Sequence, residues 1–291
     1  PDDAKGRALR HGKARVCNGT QGTELWKSDG TSAGTVLVRD IRPGPESSAP
    51  SHFACLGNRV YFSAYTTPTL GRQLWVTDGT PQGTNMISTG VFSTPTELTA
   101  AGTTLYFAAN INAAPFGNDL WKTDGTAAGT RVVADLSTGS TSGEPLLLCT
   151  SGGLVFTVTN ATPSRLWVSD GTRSGTKAIR TMGPVLAMEP VTGGVALHTN
   201  SDLWVSNGTT AGTRPIHRVP TTTGAAIASD GQRLWTATKP TRSKTAIWHV
   251  DPRSGVRQVG IISDDNYSPN IRAIGGKALI TASNELWVAS D

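Results

Sequence analysis

Apolar residues in this chain recur at every second position in short runs, and no segment carries a convincing 3.6-residue period. The runs GNRVYFSA from Gly57, GTTLYFAA from Gly102, GQRLWTAT from Gly231 and GKALITAS from Gly276 each open on a glycine turn and continue as alternating, β-branched and aromatic stretches. That pattern predicts strands and argues against helices. GKARVC from Gly12 aligns with GKALIT from Gly276, so the N-terminal residues begin a unit of the same kind. A second element follows each run: ELWKSDGTSAGT from Glu24, QLWVTDGTPQGT from Gln73, DLWKTDGTAAGT from Asp119, RLWVSDGTRSGT from Arg165 and DLWVSNGTTAGT from Asp202. Two degenerate copies, AIWHVDPRSG from Ala246 and ELWVASD from Glu285, complete the series.

The motif tryptophans are Trp26, Trp75, Trp121, Trp167, Trp204, Trp248 and Trp287, and of the eight in the chain only Trp235 lies outside the motif. They stand 37 to 49 residues apart, close to the roughly 40–45 residues of a four-stranded propeller blade. Each unit reads as strand a (for example Pro95 to Ala100), strand b (the YF run), strand c (the ELW run) and strand d after the second Gly-Thr. The expected fold is therefore all-β: a seven-bladed β-propeller with mostly four-stranded antiparallel blades, one domain over residues 1–291. The approximate blades are 6–41, 50–90, 95–136, 145–180, 186–219, 224–262 and 270–291. The seventh copy stops after strand c, so it either keeps three strands or takes a fourth from Pro1 to Gly6. A six-bladed ring with one displaced copy is the alternative.

The c–d connection D-G-T-x-x-G-T has a physical reading. Asp29, Asp78, Asp124 and Asp170 can accept hydrogen bonds from backbone N–H groups just ahead, while the following glycines take positive φ without steric cost. Asn207 stands in their place in the fifth copy, and an amide oxygen accepts as well as a carboxylate does. Capping, not charge, is what the position requires. Leu and Trp of strand c point to opposite faces, so a blade packed between two others can bury both.

Composition narrows the function classes. The chain has 37% apolar and 16% charged residues, 33 Gly and 17 Pro, and a net charge of +5 from 26 Lys and Arg spread without a run. Nucleic-acid binding calls for a basic stripe that is not seen, and no apolar stretch approaches the roughly 18 residues of a membrane span. Cys17, Cys55 and Cys149 form no zinc pattern. All three read as small buried hydrophobes, with Cys17 and Cys55 the one pair on neighbouring blades.

On these residues the chain resembles the ELWxxDGT repeat family of myxobacteria and other bacteria rich in secreted and surface proteins. The resemblance spans nearly the whole chain, with five copies matching strongly and the sixth and seventh lacking DGTxxGT. It implies a propeller that is secreted or on the outer cell surface and leaves the function open.

A binding module for carbohydrate or protein ligands is the expected role, rather than an enzyme. The connectors from Tyr65 to Arg72, from Asn110 to Asn118 and from Lys239 to Thr245 lie on one face, opposite the DGT turns. They offer Tyr65, Arg72, Asn110, Asn112, Lys239 and Arg242, with Tyr267 from a neighbouring loop, as ligand-binding residues. Arg72, Lys239, Arg242 and Lys244 are candidates for a cationic rim toward an anionic glycan or a carboxylate ligand, although exposed bases are ordinary in loops and that plainer reading is preferred. No cofactor is expected. Asp264 and Asp265, with Asn266, are the weak candidates for Ca²⁺, since oxygen ligands at that spacing suit it. The alternative function is a hydrolase or lyase on the central channel, for which His11 and His52 on strand a are the histidines to watch.

Overall fold

The computed structural model describes residues 15–18, 22–87, 92–111, 118–136, 145–159, 163–219, 225–230, 233–241, 243–251, 255–263, 270–282 and 285–290. Among them the chain forms seven antiparallel sheets and no helix. The first sheet holds β1 (Arg15–Asn18), β2 (Gly22–Lys27) and β3 (Val36–Arg39), and the second β4 (Ser51–Leu56), β5 (Arg59–Thr67), β6 (Gly71–Thr77) and β7 (Asn85–Met86). The third holds β8 (Phe92–Ala101), β9 (Thr104–Ile111), β10 (Asn118–Thr123) and β11 (Arg131–Ala134). The fourth holds β12 (Pro145–Ser151), β13 (Leu154–Thr159), β14 (Ser164–Ser169) and β15 (Lys177–Met182), and the fifth β16 (Val185–Val191), β17 (Gly194–Thr199), β18 (Asp202–Ser206) and β19 (Arg214–Arg218). The sixth holds β20 (Ala225–Ser229), β21 (Leu234–Thr241), β22 (Lys244–Asp251) and β23 (Gly255–Ser263), and the seventh β24 (Asn270–Ile274), β25 (Lys277–Ala282) and β26 (Glu285–Ala289). Every sheet is a meander in chain order. The chain divides into two compact units, residues 1–145 with the first three sheets and 146–291 with the remainder.

Each motif position has a structural use. In the first copy Asp29 Oδ1 accepts from the Thr31 N–H at 2.9 Å and from the Thr31 hydroxyl at 2.7 Å, and Thr31 Oγ1 accepts from the Gly34 N–H at 2.9 Å. The Thr35 hydroxyl donates to the Thr31 carbonyl at 2.6 Å, and Ser28 Oγ accepts from the Gly30 N–H at 3.0 Å. The same bonds recur around Asp78, Asp124, Asp170 and Asn207. Asn207 Oδ1 takes the Thr209 N–H at 3.0 Å, so the amide replaces the carboxylate atom for atom. The second glycine is there for room, since a Cβ on Gly34 would lie 1.9 Å from Asp29 Oδ1. The first glycine meets two demands, shown by Gly208: its φ is +86°, and a Cβ would come within 2.8 Å of Leu154 Cδ1 on the preceding sheet.

These turns fasten one sheet to the one before. In the first unit the Lys27 ammonium donates to the Gly79 carbonyl at 2.9 Å, and the Tyr61 hydroxyl lies against Gly125. Strand c supplies the core: Leu74, Leu120, Leu166 and Leu203 are fully buried, and Trp75 and Trp121 nearly so. In the first, fourth and fifth sheets the residue of strand d opposite the motif leucine covers the tryptophan of the following sheet. Arg39 sits 5.8 Å from the Trp75 ring centre and Arg180 5.3 Å from Trp204, while the His217 ring packs at 5.7 Å from Trp248. Stacked cations and rings of this kind make the tryptophans packing elements.

A bulge absent from the sequence reading recurs on the c–d edge. The register shifts between the Leu (or Ile247) and the Trp in five sheets. It leaves Val38, Val133, Ile179, Ile216 and Val259 as the extra residue of strand d, and the first three are buried. The bulge turns an otherwise outward apolar side chain into the core.

The first residue of ELW ties in the connector after strand d. Glu24 is fully buried, and its carboxylate accepts from the Ile41 and Ser48 N–H groups, both at 2.8 Å, and from the Ser48 hydroxyl. Its counterpart Asp119 has a harder environment. Burial, reinforced by the neighbouring Asp135 carboxylate, pushes the Asp119 carboxyl up to about 7. A carboxyl raised in the folded state contributes stability that is complete below its unfolded value near 3.8 and is lost as pH rises through about 7. Asp119→Asn is therefore expected to match the parent in urea unfolding near pH 4 and to exceed it by about 1–2 kcal/mol at pH 8. A variant weaker than the parent at pH 8 would contradict this.

Candidate functional site

Backbone strain in the first unit gathers on the first strands of the second and third sheets. Ala49 and His52 stand at φ of 45° and 53°, and Thr94 and Glu97 at 53°. Left-handed backbone costs a side-chain-bearing residue roughly 1–3 kcal/mol and persists only where its surroundings hold it. The ladders there are broken to match. The β4–β5 register shifts between Ser51 and Ala54, and the β8–β9 register shifts twice between Ser93 and Thr99.

Arg72 on β6 holds this region. Its guanidinium donates to Ser63 Oγ and to the Ser63 carbonyl, both at 3.1 Å, to the Ala49 carbonyl at 2.8 Å, and to Ser51 Oγ. The guanidinium carbon also lies 4.7 Å from the Tyr65 ring centre, leaving that ring 42% exposed. Ser51 Oγ is 3.0 Å from His52 Nδ1. The residue His52 keeps contact with solvent, yet desolvation of its ring holds the imidazole below its ordinary value. Glu97 pulls the other way and Arg72 adds to the lowering, so the ring is neutral at pH 7. The result is an exposed aromatic face with a fixed cation behind it, bordered by hydroxyls and a neutral imidazole. Such a patch can stack on an apolar face of a ligand and exchange hydrogen bonds with its polar groups.

Of the residues expected at the site, Tyr65 and Arg72 come together here, and His52 joins them. The connector from Tyr65 to Arg72 is no open loop: Tyr65 pairs with Arg72 and Thr67 with Gly71 in a hairpin. Asn110 lies within β9, paired with Asn118 and Ser93. Lys239 departs from expectation, being fully buried rather than part of an exposed rim. β21 and β22 continue to Thr241 and Lys244, so the expected connector is strand and carries Lys239 inward. Lys244 is exposed. Asn112, Arg242, Tyr267, His11, Asp264, Asp265 and Asn266 lie outside the described residues. Among the described residues no group of three or more His, Cys, Asp or Glu side chains gathers as for a metal. Cys55 is a free, exposed thiol and not a buried one, because it sits on an outward position of β4. Cys149 is buried, and burial, then the Glu189 charge, pushes its thiol up to about 12.

No family profile matches the chain, and no curated protein sequence does. Solved structures do match. The computationally designed Ika8 protein aligns at a TM-score of 0.59 with 14% identity, covering 95% of this chain and 82% of that one. An oligogalacturonate lyase in complex with manganese aligns at 0.57 with 12% identity, covering 88% and 77%. A prolyl endopeptidase aligns at 0.56 with 12% identity, covering 84% of this chain and 41% of its own. At these identities the likeness concerns the fold alone: a propeller-like, all-β arrangement of antiparallel sheets.

Proposed function

We propose that this chain is a closed seven-bladed β-propeller of the ELWxxDGT type, secreted or displayed on a bacterial cell surface. It serves there as a binding module for carbohydrate or protein ligands. The single observation that carries the binding role is the patch on the first unit: Tyr65 exposed over the anchored Arg72, beside strained inner strands that present Ser51, His52 and Glu97. The DGT turns are a poor choice of site, because their Oδ1 atoms, threonine hydroxyls and glycine N–H groups are spent on one another. Support for the ring comes from seven meander sheets at the repeat spacing and from the propeller-like solved structures.

An exposed tyrosine ring backed by a guanidinium suits the apolar face of a sugar, so glycans are the first ligands to try. The test is a glycan array probed with the parent and with Tyr65→Ala, followed by titration of the best ligand. Tyr65→Ala is expected to weaken that ligand at least tenfold, about 1.4 kcal/mol, with an unchanged melting temperature. Equal binding by parent and variant would overturn the assignment of the patch.

A further inference from the structure

The second unit contains a cleft between the fifth and sixth sheets, on the side of the c–d turns, with a volume of about 530 Å³. Its origin lies in two local departures from the repeat. In the fourth and fifth sheets the turn glycine Gly208 fills the equivalent space, packing against Leu154, Phe156 and Val168. The sixth copy lacks the DGTxxGT motif. Its ladder runs two pairs further, through Val250 with Val256 and Asp251 with Gly255. On the opposing side, strand b of the fifth sheet carries Gly194 and Ala196 at the positions that hold Leu154 and Phe156 in the fourth, as the shared pairing registers show. Bulk is missing from both walls.

The lining has a definite chemistry. Val195, Val205, Leu234 and Val250 give it apolar walls, and its charged lining residues are Arg214 and Arg233, with no carboxylate among the described lining residues. Arg233 is fixed by a hydrogen bond to the Gly276 carbonyl at 2.9 Å, and its backbone N–H is taken by Asp230 Oδ1 at 2.8 Å. Arg214 is exposed on β19 and has no ion pair among the described residues. Binding sites for small molecules have this volume, mostly apolar walls and a few polar anchors, and a guanidinium fork is matched to a carboxylate. No aromatic residue is among the described lining residues, which sets the cleft apart from the Tyr65 patch.

We infer that this cleft binds a small amphipathic carboxylate, its hydrocarbon body between the valines and its carboxylate at Arg214. Octanoate is the probe, with 1-octanol and acetate as controls, titrated by calorimetry and by methyl NMR shifts of Val205 and Leu234. Octanoate is expected to bind one to one with a Kd below about 1 mM, 1-octanol at least tenfold more weakly, and acetate not at all. Arg214→Gln should weaken octanoate at least fivefold, leave 1-octanol unchanged and leave the unfolding midpoint unchanged. Absence of saturable binding, undiminished binding to Arg214→Gln, or shifts away from Val205 and Leu234 would overturn the inference. Tyr65→Ala is expected to bind octanoate as the parent does, so failure here and failure of the glycan patch are told apart.

Discussion

Trp235→Ala is expected to lower the stability of the second unit by about 3–5 kcal/mol in urea unfolding, the cost of deleting a large aromatic from a close-packed core. Trp235 is fully buried and packs with Ala237, Ile247 and Ile262 of its own sheet and with Ile271, Ala278 and Ile280 of the seventh. Its ring also lies 4.5 Å from His249. It occupies the strand-b slot held by Tyr61, Tyr106 and Phe156 in other sheets, each paired with the residue after the motif Trp. Tyr61 and Phe156 lie against the turn glycine of the following sheet, as Trp235 lies against the seventh, so the deletion opens a void between two sheets where neither backbone can close it. Trp235→Phe should cost less than about 2 kcal/mol, because the indole N–H has no acceptor among the described residues and a buried unmade hydrogen bond is no loss. An alanine variant within about 1 kcal/mol of the parent would mean that this slot is not a packing joint.

Much of this fold is legible in the sequence because the repeat states its local chemistry five times in full and twice in part. The Leu-Trp runs fall on strands and the Asp-Gly-Thr bends on the turns that follow them. Asn207 for aspartate already pointed to capping. The site was harder to read. Tyr65 and Arg72 were recognised from their place in a polar connector, but the cation–π pair depends on a hairpin register that period-two alternation does not set. Lys239 was misplaced for the same reason, since a lysine at a strand end reads as exposed until pairing carries the strand past it. The bulge had a signal that went unused: an apolar residue three positions after the second motif threonine, Val38, Val133, Ile179 and Ile216 in turn. The strained backbone at His52 and Glu97 has no local sequence mark, because tertiary contacts hold it. The cleft has one, the loss of DGTxxGT in the sixth copy, but its consequence appears only when the turn is seen packing on the preceding sheet.

The second large effect concerns the turns. Hydrogen bonds from the threonine two residues on, side chain first and then backbone, hold Asp29, Asp78 and Asp124 below their ordinary carboxyl value. Depressed carboxyls contribute stability above their unfolded value near 3.8 that is lost as pH falls through the folded one. All three are exposed, so the electrostatic part is small and the cap itself is what the alanine variant loses. Removing a capping oxygen costs about 0.5–2 kcal/mol at a helix start, and four losses of that order add across separated turns.

Urea unfolding at pH 7 of two quadruple variants at positions 29, 78, 124 and 170 therefore bears most directly on the motif, one with asparagine at all four and one with alanine. The alanine variant is expected to lose about 4 kcal/mol or to fail to fold, while the asparagine variant loses less than half as much and weakens slightly less than the parent below pH 4. Equal loss in both would mean that the charge itself is required, and the turns would then be sites for a cation or ligand, not the joints of the sheets.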